Sequence, residues 1–137
     1  MPPVFAKLNL KGQAAILVAN APASFEPVLQ ALQEVTVLRD PAVPAGVAFA
    51  LVFVTTQDEL DAMSALLAAK AEGDAVLWFA YPKKTSRRYR CEFHRDSGWE
   101  VIRAHGFDSV RQVAIDEDWS ALRFRRVEHI GRAPSRR

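Results

Sequence analysis

The sequence predicts an α/β domain in which helices cover both faces of a mostly parallel sheet. Three continuous apolar segments, 14–19, 48–54 and 75–81, are typical of strands that are buried on both faces. Segments with helical periodicity alternate with them, and the chain then ends in two shorter segments that mix polar and apolar residues. This alternation indicates crossover helices between parallel strands, followed by an antiparallel hairpin.

The first apolar strand is followed by a helix and a second strand. The helix is predicted over 24–32, with Ser24 as its cap and Pro27 in the first turn, where proline is tolerated. Its apolar face is predicted to consist of Phe25, Val28, Leu29 and Leu32. A short β-branched strand follows at 35–38, and the Pro- and Gly-containing segment 40–46 is predicted to be a loop without a helix.

Two capping boxes predict the starts of the later helices. The first, at 56–59, opens a helix that Gly73 is predicted to end. The second, at 97–100, precedes a short helix that is predicted to end at Gly106. The inward side chains are predicted to be Leu60, Met63, Leu66 and Leu67 in the first helix, and Trp99 and Ile102 in the second.

The last two strands, 110–115 and 121–127, are predicted to form a half-exposed antiparallel hairpin around an acidic turn. Trp119 and Phe124 are expected to anchor this hairpin. The right-handed crossover rule then predicts the strand order 2-1-3-4-6-5, which is that of a Rossmann-like three-layer sandwich. The domain is predicted to span residues 1–130, and residues 131–137 to form a flexible tail.

The composition excludes several classes of protein. A chain of 137 residues, half of them hydrophobic and a quarter charged, is expected to form one compact soluble domain. It offers no run of about 18 apolar residues that would cross a membrane, and its first residues lack the pattern of a secretory signal. Its one cysteine excludes an internal disulfide framework and fits a reducing cytoplasm.

Charge is divided unevenly along the chain. Residues 1–80 carry four basic and eight acidic side chains, whereas residues 81–137 carry fourteen basic and eight acidic ones. The basic second half fits an anionic partner, and it equally fits a solvated surface that binds nothing.

The segment 8–22, LNLKGQAAILVANAP, resembles the start of class I S-adenosylmethionine-dependent methyltransferases. In that family a short helix and a K-x-G turn lead into the first strand, and a glycine-rich cofactor loop follows it. The corresponding positions here are Asn20, Ala21, Pro22, Ala23 and Ser24, which include no glycine. The second strand of that family ends in an acidic residue, and Asp40 lies near the corresponding place. Some members carry a catalytic signature of the D/N-P-P-Y type after a later strand, and TTQDE at 55–59 replaces it here. The resemblance therefore implies the fold without ordinary methyl transfer.

Two further segments, LWFAYPKKTS at 77–86 and AIDEDWSALRFRRVE at 114–128, resemble a small family of uncharacterised bacterial proteins. Members of that family combine a W-x-x-x-P-K-K segment with a D-E-x-W-S-x-L-R-F hairpin. The resemblance implies the same Rossmann-like fold, related to the methyltransferases, and no assigned activity.

The segment YPKKTSRRYRCEFHR, 81–95, is the main candidate for a binding site, because six of its fifteen residues are Lys or Arg. Ligands of open α/β sheets bind beyond the carboxyl ends of the strands, where the strand order reverses. The predicted anion-binding side chains are Lys83, Lys84, Arg87, Arg88 and Arg90, and the predicted crevice-lining residues are Asn20, Thr55, Thr56 and Tyr81. Tyr89 and Phe93 could stack on bases; alternatively, Phe93 is a core residue, and Arg87 and Arg88 pair with local carboxylates.

Other chemistry is not expected. Cys91 and His94 are three residues apart but lack the further ligands of a zinc site, and Cys91 is either a thiol activated by neighbouring cations or an incidental one. The acidic residues at 116–118 could bind a cation or contact the basic segment, without acting as catalysts. We therefore expect no catalytic residue, no metal and no cofactor.

Three functional hypotheses follow. The first is a non-catalytic protein whose basic segment binds an anionic ligand, a nucleic acid or an acidic protein. The second is a divergent or degenerate methyltransferase, and the third is a module that dimerises through the hairpin edge.

Overall fold

A computed structural model describes residues 2–130 and shows one six-stranded sheet with helices on both faces. The strands are β1 (Ala15–Ala19), β2 (Thr36–Leu38), β3 (Val47–Phe53), β4 (Ala71–Pro82), β5 (Phe107–Ala114) and β6 (Trp119–Arg126). The helices are α1 (Pro3–Lys7), α2 (Glu26–Gln30), α3 (Gln57–Lys70) and α4 (Glu100–Ala104). Short 3₁₀ turns lie at Ala23–Phe25 and Val127–His129.

The strand order is β2-β1-β3-β4-β6-β5, as the sequence predicts. The first four of these strands are parallel, and β6 runs antiparallel to both β4 and β5. The Rossmann-like three-layer architecture with a terminal hairpin is therefore confirmed.

Alternating side chains of the central strands build two cores, one on each face of the sheet. Leu77 and Phe79 of β4 pack beneath α3 and α4, whereas Trp78 and Ala80 face the layer of α1 and α2. Because both faces are covered, these strands are continuously apolar rather than alternating. Trp78 also donates a hydrogen bond from its indole Nε1 to the Leu8 carbonyl, 2.7 Å away, which ties the segment after α1 to the sheet.

The start of α3 is predicted correctly, and its end is not. Thr56 and Glu59 form both hydrogen bonds of the capping box. The helix ends at Lys70 rather than at Gly73, which lies inside β4 with φ +53°. Ala71 pairs with Val47 of β3, so pairing across the sheet begins two residues before the glycine.

Two other predicted caps are wrong. Ser24 lies within the 3₁₀ turn that precedes α2, and α2 itself is only five residues long, with Pro27 in its first turn as predicted. Ser97 does not cap α4, whose N-cap is Trp99 without a side-chain hydrogen bond. The Ser97 hydroxyl instead lies 3.0 Å from His94 Nε2, because local loop contacts compete with capping.

The hairpin is longer and more buried than predicted. Trp119 belongs to β6 rather than to the turn, and it and Phe124 are buried, which confirms that they anchor the hairpin. β6 is largely buried because it is inserted between β4 and β5, so only β5 forms the half-exposed edge. A bulge at Val110 and the exposed Arg111 interrupt that edge, and both features disfavour pairing with another strand.

Among the described residues, no helix is both long enough and apolar enough to cross a membrane. The tail predicted at 131–137 lies outside the described residues.

Candidate functional site

The basic segment leaves β4 at Pro82 and crosses the carboxyl edge of the sheet as a loop, which we call the basic loop (residues 83–98). Its first residue is held by the hairpin, since the backbone N–H of Lys83 donates to the carbonyl of Asp118, 2.8 Å away. The amide N–H of Glu92 donates to the carbonyl of Thr55 at 3.0 Å, which ties the loop to the residues that follow β3. The loop is therefore attached both to the turn of the hairpin and to the segment that follows β3.

Aromatic packing holds the second half of the basic loop against the sheet. Phe93 and Trp99 are buried with their ring centroids 5.3 Å apart, and both rings contact Tyr81. Trp99 also donates from Nε1 to the carbonyl of His94 over 2.9 Å. Phe93 is thus a core residue, and its burial excludes the predicted stacking on a nucleic-acid base.

The start of α3 supports the same segment. The backbone N–H of Gln57 donates to Glu92 Oε1 at 2.8 Å, and the Gln57 side chain donates to the carbonyl of Gly98 at 2.8 Å. Gly98 has φ +100°, and an added Cβ would lie 2.7 Å from Phe93 Cβ, so this position requires glycine.

A cavity of about 950 Å³ lies between the basic loop and the hairpin. Its lining consists of residues 81–96 together with Gln112 of β5 and Ser120 of β6. A volume of this size is at the upper end of the range of small-ligand sites, roughly 300–1,000 Å³.

The cavity is strongly cationic. Its lining contains Lys83, Lys84, Arg87, Arg88, Arg90 and Arg95. Against these six cations stand two carboxylates, those of Glu92 and Asp96. Glu92 accepts the hydrogen bond from Gln57, and none of the six cations forms a side-chain hydrogen bond or ion pair with any residue of 2–130. Pairing of Arg87 and Arg88 with local carboxylates, the alternative prediction, is not observed within that range.

The floor of the cavity is polar and uncharged. Gln112 Nε2 donates to the hydroxyl of Tyr81 over 2.9 Å, and Ser120 lies opposite Tyr81 in the register of β4 and β6. Burial raises the pKa of Tyr81, and the charge of Arg95 acts in the opposite direction. Tyr81 therefore remains a neutral phenol at physiological pH and can donate a hydrogen bond.

The structure separates the predicted crevice residues. Tyr81 lines the cavity, whereas Asn20, Thr55 and Thr56 are not part of its lining. The hydroxyl of Thr55 donates to Glu59 Oε1, and the hydroxyl of Thr56 accepts from the backbone N–H of Glu59, so both serve the capping of α3. Asn20 is exposed after β1, in the left-handed conformation at φ +62°.

The acidic turn contacts the basic loop, one of its two predicted roles. Asp118 Oδ1 accepts from the hydroxyl of Ser86 at 2.9 Å, and Asp116 Oδ1 accepts from the backbone N–H groups of Asp118 and Trp119. Tyr89 packs on Trp119 with ring centroids 4.9 Å apart. The turn thus shapes the loop through backbone and hydroxyl contacts rather than through its cations.

Cys91 is half-buried in the cavity wall, and burial raises the pKa of its thiol. Activation by neighbouring cations, one of the two alternatives for Cys91, would lower that pKa, so the raised pKa favours the other alternative, an incidental thiol. Within residues 2–130, no group of three or more His, Cys, Asp or Glu side chains is arranged to hold a metal ion.

Gln112, Ser120 and Arg95 are cavity residues that sequence reasoning missed. Gln112 and Ser120 lie in the hairpin, and only the register of β4, β6 and β5 brings them to Tyr81. The sequence signal that could have identified Gln112 and Ser120 is that both are polar and uncharged in strands whose other residues are mostly apolar or charged.

The architecture is shared with solved methyltransferases. A SAM-dependent methyltransferase from Aquifex aeolicus superposes with a TM-score of 0.59 at 18% sequence identity, covering 89% of this chain and 87% of that one. The N-methyltransferase NodS from Bradyrhizobium japonicum WM9 gives a TM-score of 0.57 at 12% identity over 90% and 92%. The chain has a Rossmann-like methyltransferase fold.

A third structure with this methyltransferase fold is the magnesium protoporphyrin IX methyltransferase ChlM from Synechocystis PCC 6803, solved with bound SAM. It gives a TM-score of 0.55 at 16% identity and covers 90% of this chain and 74% of that one. No protein-family model matches the sequence, and no curated protein sequence matches it either. Likeness at such identities establishes the methyltransferase fold and leaves the chemistry to the site itself.

Proposed function

We propose that this protein is a non-catalytic binding protein that holds an anionic ligand in the cavity between the basic loop and the hairpin. The observation that carries the proposal is the set of six lysine and arginine side chains that line the cavity without a partner in residues 2–130. Cations gathered at one site repel one another, and a bound anion relieves that repulsion.

The anchoring of the basic loop supports this proposal. A loop that is merely solvated does not need attachments to β3, α3 and the hairpin, yet Lys83, Ser86 and Glu92 each make one. Both segments that resemble the bacterial family contribute to this site. Residues 82–84, P-K-K, line the cavity, and the turn at 116–119, D-E-D-W, holds the basic loop through Asp118. Membership of that family is part of the proposal.

The loop after β1 is the basis for proposing that the protein is not a catalyst. Residues 20–24 contain no glycine, and Pro22 has no backbone N–H to offer a cofactor. The last part of this loop is the 3₁₀ turn Ala23–Phe25, and its Phe25 is buried against Phe5 and Phe53.

The test compares two adjacent arginine pairs. Retention on immobilised heparin, a polyanion probe, is measured for R87E/R88E and for R136E/R137E, which make the same change in net charge. We expect the first variant to elute at clearly lower salt than the second, because local charge rather than net charge carries the binding. Equal shifts for the two variants would show nonspecific attraction and would overturn the proposal.

A divergent methyltransferase is the second candidate. It is supported by the fold and by Asn20, whose left-handed conformation at the end of β1 is one that glycine usually supplies. Calorimetric titration with S-adenosylmethionine, with S-adenosylhomocysteine as competitor, tests this candidate. Heat of binding that the competitor abolishes would support it, and the absence of binding at millimolar ligand would end it.

A further inference from the structure

The floor of the cavity carries a hydrogen-bond donor that the described residues leave unused. Tyr81 is 4% exposed, lines the cavity, and accepts from Gln112 Nε2 through its hydroxyl oxygen. A phenol has one O–H donor, and within residues 2–130 the Tyr81 hydroxyl has no acceptor. The phenolic O–H of Tyr81 is therefore available to donate to a ligand atom in the cavity.

A second hydroxyl lies beside the first. Ser120 of β6 is directly opposite Tyr81 of β4, is 8% exposed and also lines the cavity. Side chains of residues paired in this way project from the same face and lie about 5 Å apart at their Cβ atoms. The Ser120 hydroxyl also has no partner within residues 2–130. Together with Gln112, the two residues form a patch of neutral hydrogen-bonding groups.

The cavity therefore combines a cationic wall with a neutral polar floor. A linear polyanion would engage the cations of the basic loop and leave the floor unoccupied. A small molecule that carries both an anionic group and neutral oxygen or nitrogen acceptors would use both surfaces. The cavity volume of about 950 Å³ accommodates a molecule of nucleotide size.

We infer that the cavity binds a small phosphorylated molecule. The lysines and arginines of the basic loop hold its phosphate, while Tyr81 and Ser120 hold an uncharged acceptor elsewhere on the same molecule. Arginine and lysine make strong charge-assisted hydrogen bonds to phosphate, and the neutral hydroxyls add selectivity. This inference rests on the proposed anion-binding function and specifies the class of ligand.

The test measures the binding of inorganic phosphate, ribose 5-phosphate, AMP and UMP by calorimetry, together with the oligonucleotide dT20 as a polyanion. We expect at least one phosphorylated sugar or nucleotide to bind more tightly than inorganic phosphate. The variant Y81F should weaken its binding about tenfold, the usual effect of one lost hydrogen bond, and leave the binding of inorganic phosphate unchanged. R87E/R88E should weaken both.

The control is T36V, which removes a hydroxyl from an exposed residue of β2 outside the cavity lining and should change the affinity less than twofold. Thermal melts of Y81F and T36V establish that both variants fold. If no sugar phosphate or nucleotide exceeds inorganic phosphate, if Y81F behaves like the wild type, or if dT20 binds most tightly, the inference is overturned while anion binding stands. If neither phosphate, dT20 nor heparin binds, the proposed function itself fails.

Discussion

Ser86 donates a hydrogen bond from its hydroxyl to Asp118 Oδ1, 2.9 Å away, and so joins the basic loop to the hairpin turn 32 residues later. The same hydroxyl accepts from the backbone N–H groups of Arg88 and Tyr89. One carboxylate thereby orients the side chain that shapes the loop around its cations.

Asp118→Ala is expected to destabilise the protein by about 1–2 kcal/mol, because the Ser86 hydroxyl loses its acceptor. Glu117→Ala removes the same charge from the same turn, where the Glu117 side chain makes no hydrogen bond within residues 2–130, and should change stability by less than about 0.5 kcal/mol. Urea unfolding measures both. Equal losses would mean that the turn acts through its charge rather than through this contact.

Gly98→Ala should lower the free energy of unfolding of the protein more than Gly12→Ala does. Both glycines have positive φ, +100° and +84°, so alanine is strained at either. Only at Gly98 does the added Cβ also meet neighbours, the nearest being Phe93 Cβ at 2.7 Å. We expect about 1 kcal/mol for Gly12→Ala and at least about 2 kcal/mol for Gly98→Ala in thermal unfolding. A larger loss at Gly12 would contradict the packing assigned to Phe93.

Replacement of Asn20 by glycine is expected to leave the stability of the protein nearly unchanged, whereas replacement by alanine is expected to lower it. Its φ of +62° is accessible to Asn and Gly but costs an alanine about 1 kcal/mol. Asn20→Gly should therefore unfold at nearly the wild-type urea concentration, and Asn20→Ala at a lower one. If the two variants are equally stable, the left-handed conformation after β1 is not maintained in solution.

Glu59 makes stability depend on pH. Hydrogen bonds, first from the backbone of Thr55 and then from Thr56, lower the pKa of this carboxyl in the folded protein. The unfolded chain therefore binds a proton more readily at this site, so the contribution of Glu59 is complete above its unfolded pKa of about 4.3 and is lost as pH falls through the lower folded value.

The measurement compares urea midpoints between about pH 6 and pH 3. Glu59→Gln keeps an acceptor oxygen and cannot titrate, so its midpoint should fall less steeply with acid than that of the wild type. Asp58→Asn removes a carboxylate from the same first turn, where Asp58 makes no side-chain hydrogen bond within residues 2–130, and should retain more of the wild-type slope. A wild-type slope in Glu59→Gln would show that the capping box does not couple to protonation.

Elements whose ends are encoded locally could be predicted from the sequence. The capping box of α3 needs only Thr56 and Glu59, which are three residues apart, and the buried strands need only their own apolar side chains. Predictions that depend on a partner across the sheet were less accurate. Gly73 is typical of a helix end, yet the pairing of Ala71 with Val47 ends α3 earlier.

The candidate site divides in the same way. The cluster of cations is visible in the sequence, because six of them fall within fifteen residues. The sequence does not show whether carboxylates neutralise these cations, because Glu92 could face either the loop cations or the start of α3. In the fold, Glu92 accepts a hydrogen bond from Gln57 at the start of α3. Phe93 and Tyr89 are equally aromatic in the sequence, yet Phe93 is buried beside Trp99 whereas Tyr89 is half-buried and packs on Trp119.

The sequence by itself determined the layer architecture and the strand order, because hydrophobic periodicity and the handedness of crossovers are local properties of the chain. It also determined that a basic loop follows β4. Only the tertiary structure decided that this loop lines an open cavity, and that Tyr81, Gln112 and Ser120 form its floor. These three residues are up to 39 positions apart, and hydrogen-bonded strand register, which no short window of sequence specifies, brings them together.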